Sequence, residues 1–172
     1  MLRPGEFELT EKLIKNAKLT PCRILDMGAG EGDTLRYLRS RGYEALGIDK
    51  NPGEGVARGD FLCTDFPPGS FDAIISECAF FVSGNIPAAL GEAYRLLRPG
   101  GSLLLADIFF GTASELSELT QTAGFNVVSI LDETPAWREY YLRSVWEGRD
   151  ILCPEIPEGK CWYFLSVSIK EG

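Results

Sequence analysis

Residues 24–32 read Ile-Leu-Asp-Met-Gly-Ala-Gly-Glu-Gly (ILDMGAGEG), an apolar run interrupted by one acid and followed by closely spaced glycines. The run from Arg23 to Met27 fits a buried strand, and Leu35 and Leu38 beyond the glycines resume helical spacing. The local order is therefore strand, glycine turn, helix. Glycines at such a junction let a ligand approach the main chain where the first amides of a helix point outward. A dinucleotide fingerprint is spaced G-x-G-x-x-G, with its third glycine where Asp33 stands; this turn is G-x-G-x-G. Glu31 and Asp33 in the first helical turn suit the helix dipole but would repel a pyrophosphate, so a cofactor lacking phosphate, such as a sulfonium, fits better.

The elements on either side repeat the alternation. Thr10 to Lys18 places Leu13, Ile14 and Ala17 on one helical face behind Thr10 as cap, after an irregular RPGEFEL arm and before a stop at Pro21. Ala45 to Ile48 reads as a second strand ending in Asp49 and the turn Asn51-Pro52-Gly53, and Gly55 to Phe61 as a weaker third. Phe71 to Ser76 is a buried strand, Leu90 to Leu97 a helix closed by Arg98 and Pro99-Gly100-Gly101, and Ser102 to Ile108 the next strand. Glu115 to Ala123 is helical up to Gly124. Asn126 to Leu131 and Cys161 to Ile169 are final strands, with a helix from Pro135 to Trp146 between them. Strands alternating with helices specify an α/β fold around a mostly parallel sheet that binds ligands at the carboxyl ends of its strands.

With 172 residues, 45% of them hydrophobic, the chain fits one domain spanning 1–172. Its formal charge of −8, with no run of Lys or Arg, argues against nucleic acid as a partner. No apolar stretch reaches membrane-spanning length and the start lacks a signal-peptide core, so the expectation is a cytoplasmic protein with no membrane contact, a monomer or homodimer. The five cysteines (Cys22, Cys63, Cys78, Cys153, Cys161) form no C-x-x-C pair and read as reduced thiols. No histidine is present, which removes the commonest general base and metal ligand, and no metal site is expected.

Three further acids end predicted strands. Asp26 precedes the glycines, where it could meet a ligand ammonium directly or through water. Asp49 can accept two ribose hydroxyls, and Asp60 with Phe61 offers an acceptor and an aromatic face to an adenine. Taken singly, Asp26 and Asp60 also suit a helix cap or a solvated turn. Together with ALGIDKN, GDFLCTDFPPGSFDAIISECAFF and EAYRLLRPGGSLLLADIF, these features resemble the class I S-adenosylmethionine-dependent methyltransferases of the methyltransferase domain 11 type, from Arg23 to Phe110. The resemblance implies a Rossmann-like, seven-stranded, mostly parallel sheet with helices on both faces and the last strand antiparallel. It implies that Asp26, Gly28, Ala29 and Gly30 hold the methionine end of the cofactor, Asp49 and Lys50 flank the ribose, Asp60 and Phe61 border the adenine, and Glu77 lies near the sulfonium. The helix usually found between the second and third strands is reduced here to NPGEGVAR, which predicts a more open adenine pocket.

Methyl transfer from a sulfonium is an in-line displacement that rests largely on positioning and exclusion of water, so the lack of histidine is tolerable. The expected acceptor is a small molecule, bordered by the N-terminal arm, residues 77–85 and 107–111, and the late helix with Trp137, Tyr140, Tyr141 and Trp146. Glu77, Cys78, Asp107, Tyr140 and Tyr141 are the candidates for any proton transfer or catalytic contact. The SECAFF segment is similar to arsenite methyltransferases, in which a cysteine here binds the metalloid, so metalloid or thiol methylation competes with the leading reading; a buried Cys78 packing as a small hydrophobe is the plainer role. A non-catalytic S-adenosylmethionine-binding module would also keep the glycine turn and Asp49. A nicotinamide-dependent oxidoreductase is weakened by the glycine spacing and the first-turn acids.

Overall fold

In the computed structural model, which describes residues 4–148 and 161–172, the elements are α1 (Glu6–Asn16), β1 (Arg23–Met27), α2 (Asp33–Ser40), β2 (Glu44–Asp49), β3 (Ala57–Arg58), β4 (Phe71–Glu77), α3 (Ile86–Leu96), β5 (Leu97–Phe109), α4 (Ala113–Thr122), β6 (Phe125–Asp132), α5 (Thr134–Trp146) and β7 (Trp162–Lys170). They form one seven-stranded sheet in the order β3-β2-β1-β4-β5-β7-β6. β1 to β5 pair in parallel, while β7 is antiparallel to both β5 and β6. From β1 the chain steps outward to β2 and β3, then returns to place β4 and β5 on the other side. The reversal lies between β1 and β4, and a crevice opens above the carboxyl ends of these strands.

Side-chain alternation sorts the apolar residues onto two faces. Ile24, Ala73, Ile75, Leu104 and Ala106 face Leu9 and Leu13 of α1, Leu35 and Leu38 of α2, and Ala136 and Trp137 of α5. Leu25, Met27, Ile74, Leu103 and Leu105 face Ala89, Leu90, Ala93 and Leu96 of α3, with Leu119 of α4 at the margin. Helices thus cover both faces, and α1, α2 and α5 share the face that carries Asp26 and Glu77.

Several boundaries correct the sequence reading. α1 begins at Glu6, capped by Gly5 at φ 60, so Thr10 is not the cap. Thr10 is instead fully buried, one turn inside a helix whose first turn carries Glu6 and Glu8. α1 also ends before Pro21, at Asn16, where Lys18 turns the chain at φ 50. α3 starts earlier than Leu90, because the Asn85 side chain accepts from the Ala88 amide and Pro87 occupies the first turn. Pro99-Gly100-Gly101 does not separate α3 from the next strand: β5 begins at Leu97, which pairs with Phe71 across an irregular register. A Cβ at Gly101 would lie 3.0 Å from the Asp72 carbonyl, so glycine here admits a neighbouring backbone rather than a helix stop. Residues 55–61 yield only the two-residue β3.

Candidate cofactor and acceptor site

The glycine turn is stitched to β2. The amides of Gly28 and Ala29 both donate to the Ile48 carbonyl, at 2.9 and 3.1 Å. The Gly30 amide donates to Asp49 Oδ2 at 2.9 Å, and the Asn51 amide donates to Asp49 Oδ1 at 2.7 Å. Each Asp49 oxygen still has acceptor capacity, since a carboxylate oxygen carries two lone pairs. Residues 51–56 fold onto the turn: the Gly53 amide donates to the Gly30 carbonyl at 2.8 Å, and a Cβ on Gly53 would lie 2.7 Å from Glu31 Cα. The shortened NPGEGVAR segment therefore seats on the glycine turn. Gly30 at φ 48 has open space where a Cβ would be, whereas Gly28 at φ 84 has Ala79 against it.

A cavity of about 530 Å³, within the range of small-molecule sites, opens over this turn. Asp26, Gly28, Ala29, Gly30, Asp49, Lys50, Phe61 and Glu77 line it, so eight of the nine residues expected to border the cofactor come together. Asp60 does not line it. Its carboxylate accepts from the Leu62 amide at 2.9 Å and pairs with Lys50 at 3.1 Å, and these partners hold its carboxyl below the usual range. Phe61, buried and stacked on Phe80 at 5.7 Å, supplies the aromatic face alone.

At the other end, Glu77 is fixed by two hydroxyls. Thr10 Oγ1 donates to Oε1 at 2.7 Å and Thr34 Oγ1 donates to Oε2 at 2.8 Å, joining α1, α2 and β4 at one carboxylate. These partners lie 67 and 43 residues away in sequence, and no local pattern identifies them. Cys78 turns the chain at φ 57, and its Sγ lies 3.4 Å from the Tyr163 hydroxyl, which donates to the Ala106 carbonyl at 3.3 Å. Burial pushes Tyr163 well above the ordinary tyrosine value, so it remains a hydrogen-bond donor rather than a base. Cys22, Cys63, Cys78 and Cys161 are thiols, not disulfides; Cys153 lies outside the described residues.

Asp107 lines the cavity with both oxygens held by main chain: the Phe81 amide donates to Oδ2 at 3.0 Å and the Ile108 amide to Oδ1 at 2.8 Å. Burial nevertheless outweighs these donors and raises its carboxyl to about 6. Between the ordinary value near 3.8 and about 6 the folded state binds more protons than the unfolded chain, so this group lowers stability as pH rises through that window. Asp107→Asn is expected to flatten that slope by roughly 2–3 kcal/mol between pH 4 and 7, checked by urea titrations across pH; an unchanged slope would place the group in solvent.

The late helix contributes Trp137 and Tyr140 to the lining. Tyr141 stacks on Trp137 at 5.4 Å and does not line the cavity, and Trp146 is 89% exposed. Pro4 of the N-terminal arm also lines it, and an ion pair between Lys12 and Glu133 joins α1 to the head of α5.

Residues 25–105 match a family described as a methyltransferase domain. The chain is 36% identical over 104 residues to a demethylmenaquinone methyltransferase of Thermus thermophilus, covering 51% of this chain and 47% of that protein. It is 30% identical over 123 residues to an arsenite methyltransferase of Aquipseudomonas alcaligenes, covering 56% and 36%. Over residues 25–105 the chain is similar to the class I S-adenosylmethionine-dependent methyltransferases. The chain spans less than half the length of those two relatives. Its fold matches Haemonchus contortus phosphoethanolamine N-methyltransferase 2, solved in complex with S-adenosyl-L-methionine, with a TM-score of 0.80 at 16% identity over 100% of this chain and 54% of that one.

Proposed function

We propose that residues 1–172 act as one methyltransferase domain that binds S-adenosylmethionine and directs its methyl group to a small-molecule acceptor by in-line displacement. One observation carries this reading: the glycine turn, Asp49, Phe61 and Glu77 all open on one cavity that also reaches Cys78, Asp107, Trp137 and Tyr140. The turn fits such a cofactor, because Gly30 leaves open space while Glu31, Asp33 and Asp49 line the cavity where a pyrophosphate would need positive charge. In this assignment Asp26 and residues 28–30 hold the methionine end. Asp49, oriented by the Gly30 and Asn51 amides, accepts from the ribose with Lys50 beside it, and Phe61 borders the adenine. When bound, the cofactor supplies an electrophilic methyl on a sulfonium. Glu77, held still by Thr10 and Thr34, keeps a fixed negative charge beside that position, and Trp137 and Tyr140 keep water from the acceptor.

Calorimetric titration with S-adenosylmethionine, S-adenosylhomocysteine and NAD is expected to give binding of the first two alone; binding of NAD alone would overturn the reading. Binding without turnover across an acceptor screen would favour a non-catalytic module. A metalloid acceptor draws support from the position of Cys78 on the cavity, but no group of three metal-ligating side chains occurs among the described residues.

A further inference from the structure

Beyond β4 the chain runs along the cavity in a tight turn that begins against the glycines. Ala79 sits so close to Gly28 that a Cβ on that glycine would lie 2.2 Å from the Ala79 Cβ. Phe80 stacks on Phe61 and Phe81 packs on Phe110 at 5.3 Å, while Phe81, Val82 and Ser83 all line the cavity. The turn is one coil of helix: the Ser83 amide donates to the Ala79 carbonyl at 3.1 Å, and the Gly84 amide to the Phe81 carbonyl at 3.0 Å. The amides that open such a coil have no acceptor within it.

Asp107, near the end of the neighbouring strand β5, supplies one from outside. Its Oδ2 accepts from the Phe81 amide at 3.0 Å, the amides of Ala79 and Phe80 also favour its charge, and the Ile108 amide fixes Oδ1 at 2.8 Å. The cap on this turn therefore comes from another strand, 26 residues away from the amide it holds. Burial works against the same charge and raises the carboxyl to about 6, so at neutral pH the ionised group costs the fold stability. What it secures is the place of the turn.

We propose that Asp107 is a positioning residue, which acts through the turn at 79–84 to hold Ala79 against the cofactor side of the cavity and Phe81, Val82 and Ser83 against the acceptor. In this role it exchanges no proton with the acceptor: its carboxylate serves the main chain. The assignment rests on the cofactor reading above and names the residue that sets the acceptor side of the same cavity. Methyl transfer by displacement depends on such placement, because a small shift of the wall that orients the acceptor misaligns the attack.

The test is amide hydrogen exchange at pH 7.5 on the full chain, with and without saturating S-adenosylhomocysteine. In the unaltered protein the Phe81 amide should exchange about tenfold more slowly than a free amide, because a charged acceptor holds it. Asp107→Asn removes the charge and turns one oxygen into a donor. It should raise exchange at Phe81 and Ser83 by about tenfold while leaving the β4 amides 72–76 as they were, and iodoacetamide should then alkylate Cys78 about threefold faster relative to the exposed Cys63. Unchanged exchange in the turn, a rise shared equally by β4, or an unchanged Cys78 rate would each overturn the assignment. Should the variant fail to fold, the unaltered protein decides, since a Phe81 amide exchanging at the free rate overturns it as well. Failure of S-adenosylhomocysteine to bind would overturn the cofactor reading instead, and the exchange measured without it still judges the anchor.

Discussion

Gly28→Ala is expected to destabilise the protein by about 2–5 kcal/mol and to remove measurable cofactor binding. Two independent costs add. Gly28 sits at φ 84, a conformation that disfavours any side chain, and the new Cβ would lie 2.2 Å from Ala79 Cβ. Ala79 cannot easily give way: Phe80 beside it is 1% exposed in the core, and the next amide, that of Phe81, is held by Asp107. The turn cannot give way either, since the Gly28 and Ala29 amides share the Ile48 carbonyl. Urea unfolding checks the stability loss. Adding Ala79→Gly should recover the part due to overlap and leave about 1–2 kcal/mol due to φ. Full stability of the single variant would mean that the turn adopts another conformation.

Asp49→Ala is expected to weaken S-adenosylmethionine binding by about 1.5–3 kcal/mol, on the order of tenfold to a hundredfold, the value of hydrogen bonds to a charged group. The residue has two tasks. Its carboxylate orders the turn by accepting from the amides of Gly30 and Asn51, and in the proposed complex its remaining lone pairs accept from the ribose. Asp49→Asn separates them, because its amide oxygen can still receive one main-chain donor while the charge is lost. A large affinity loss in Asn with little change in thermal stability would locate the effect at the ribose. Affinity unchanged in both variants would sink the ribose assignment.

What could be read along the chain was what neighbouring residues impose on one another. The strand, glycine turn and helix at 23–40 follow from apolar periodicity and from backbone conformations that glycine tolerates, as Gly28, Gly30 and Gly32 show with φ of 84, 48 and 78. The antiparallel β7 was not evident from residue periodicity and came only from the family resemblance, because an alternating strand has the same pattern in either direction.

That the residues on the turn and after β2 would meet at one cavity was legible since each ends a strand, and strand ends converge on one edge of a parallel sheet. Asp60 falls outside the lining, and its carboxylate is engaged by Lys50 and the Leu62 amide, partners that residue spacing alone did not indicate. Tyr140 and Tyr141 are equivalent by composition; only the packing of α5 puts the first on the cavity and the second on Trp137. Thr10, which reads as a helix cap, became the clamp on Glu77 once Gly5 had taken over the cap and α1 had docked across the sheet. The strand-and-helix order and the place of the glycine turn follow from contacts within a few residues along the chain. Which acids face the cavity, and what restrains them, depends on long-range packing, because those partners lie on different strands and helices and meet when the sheet is assembled.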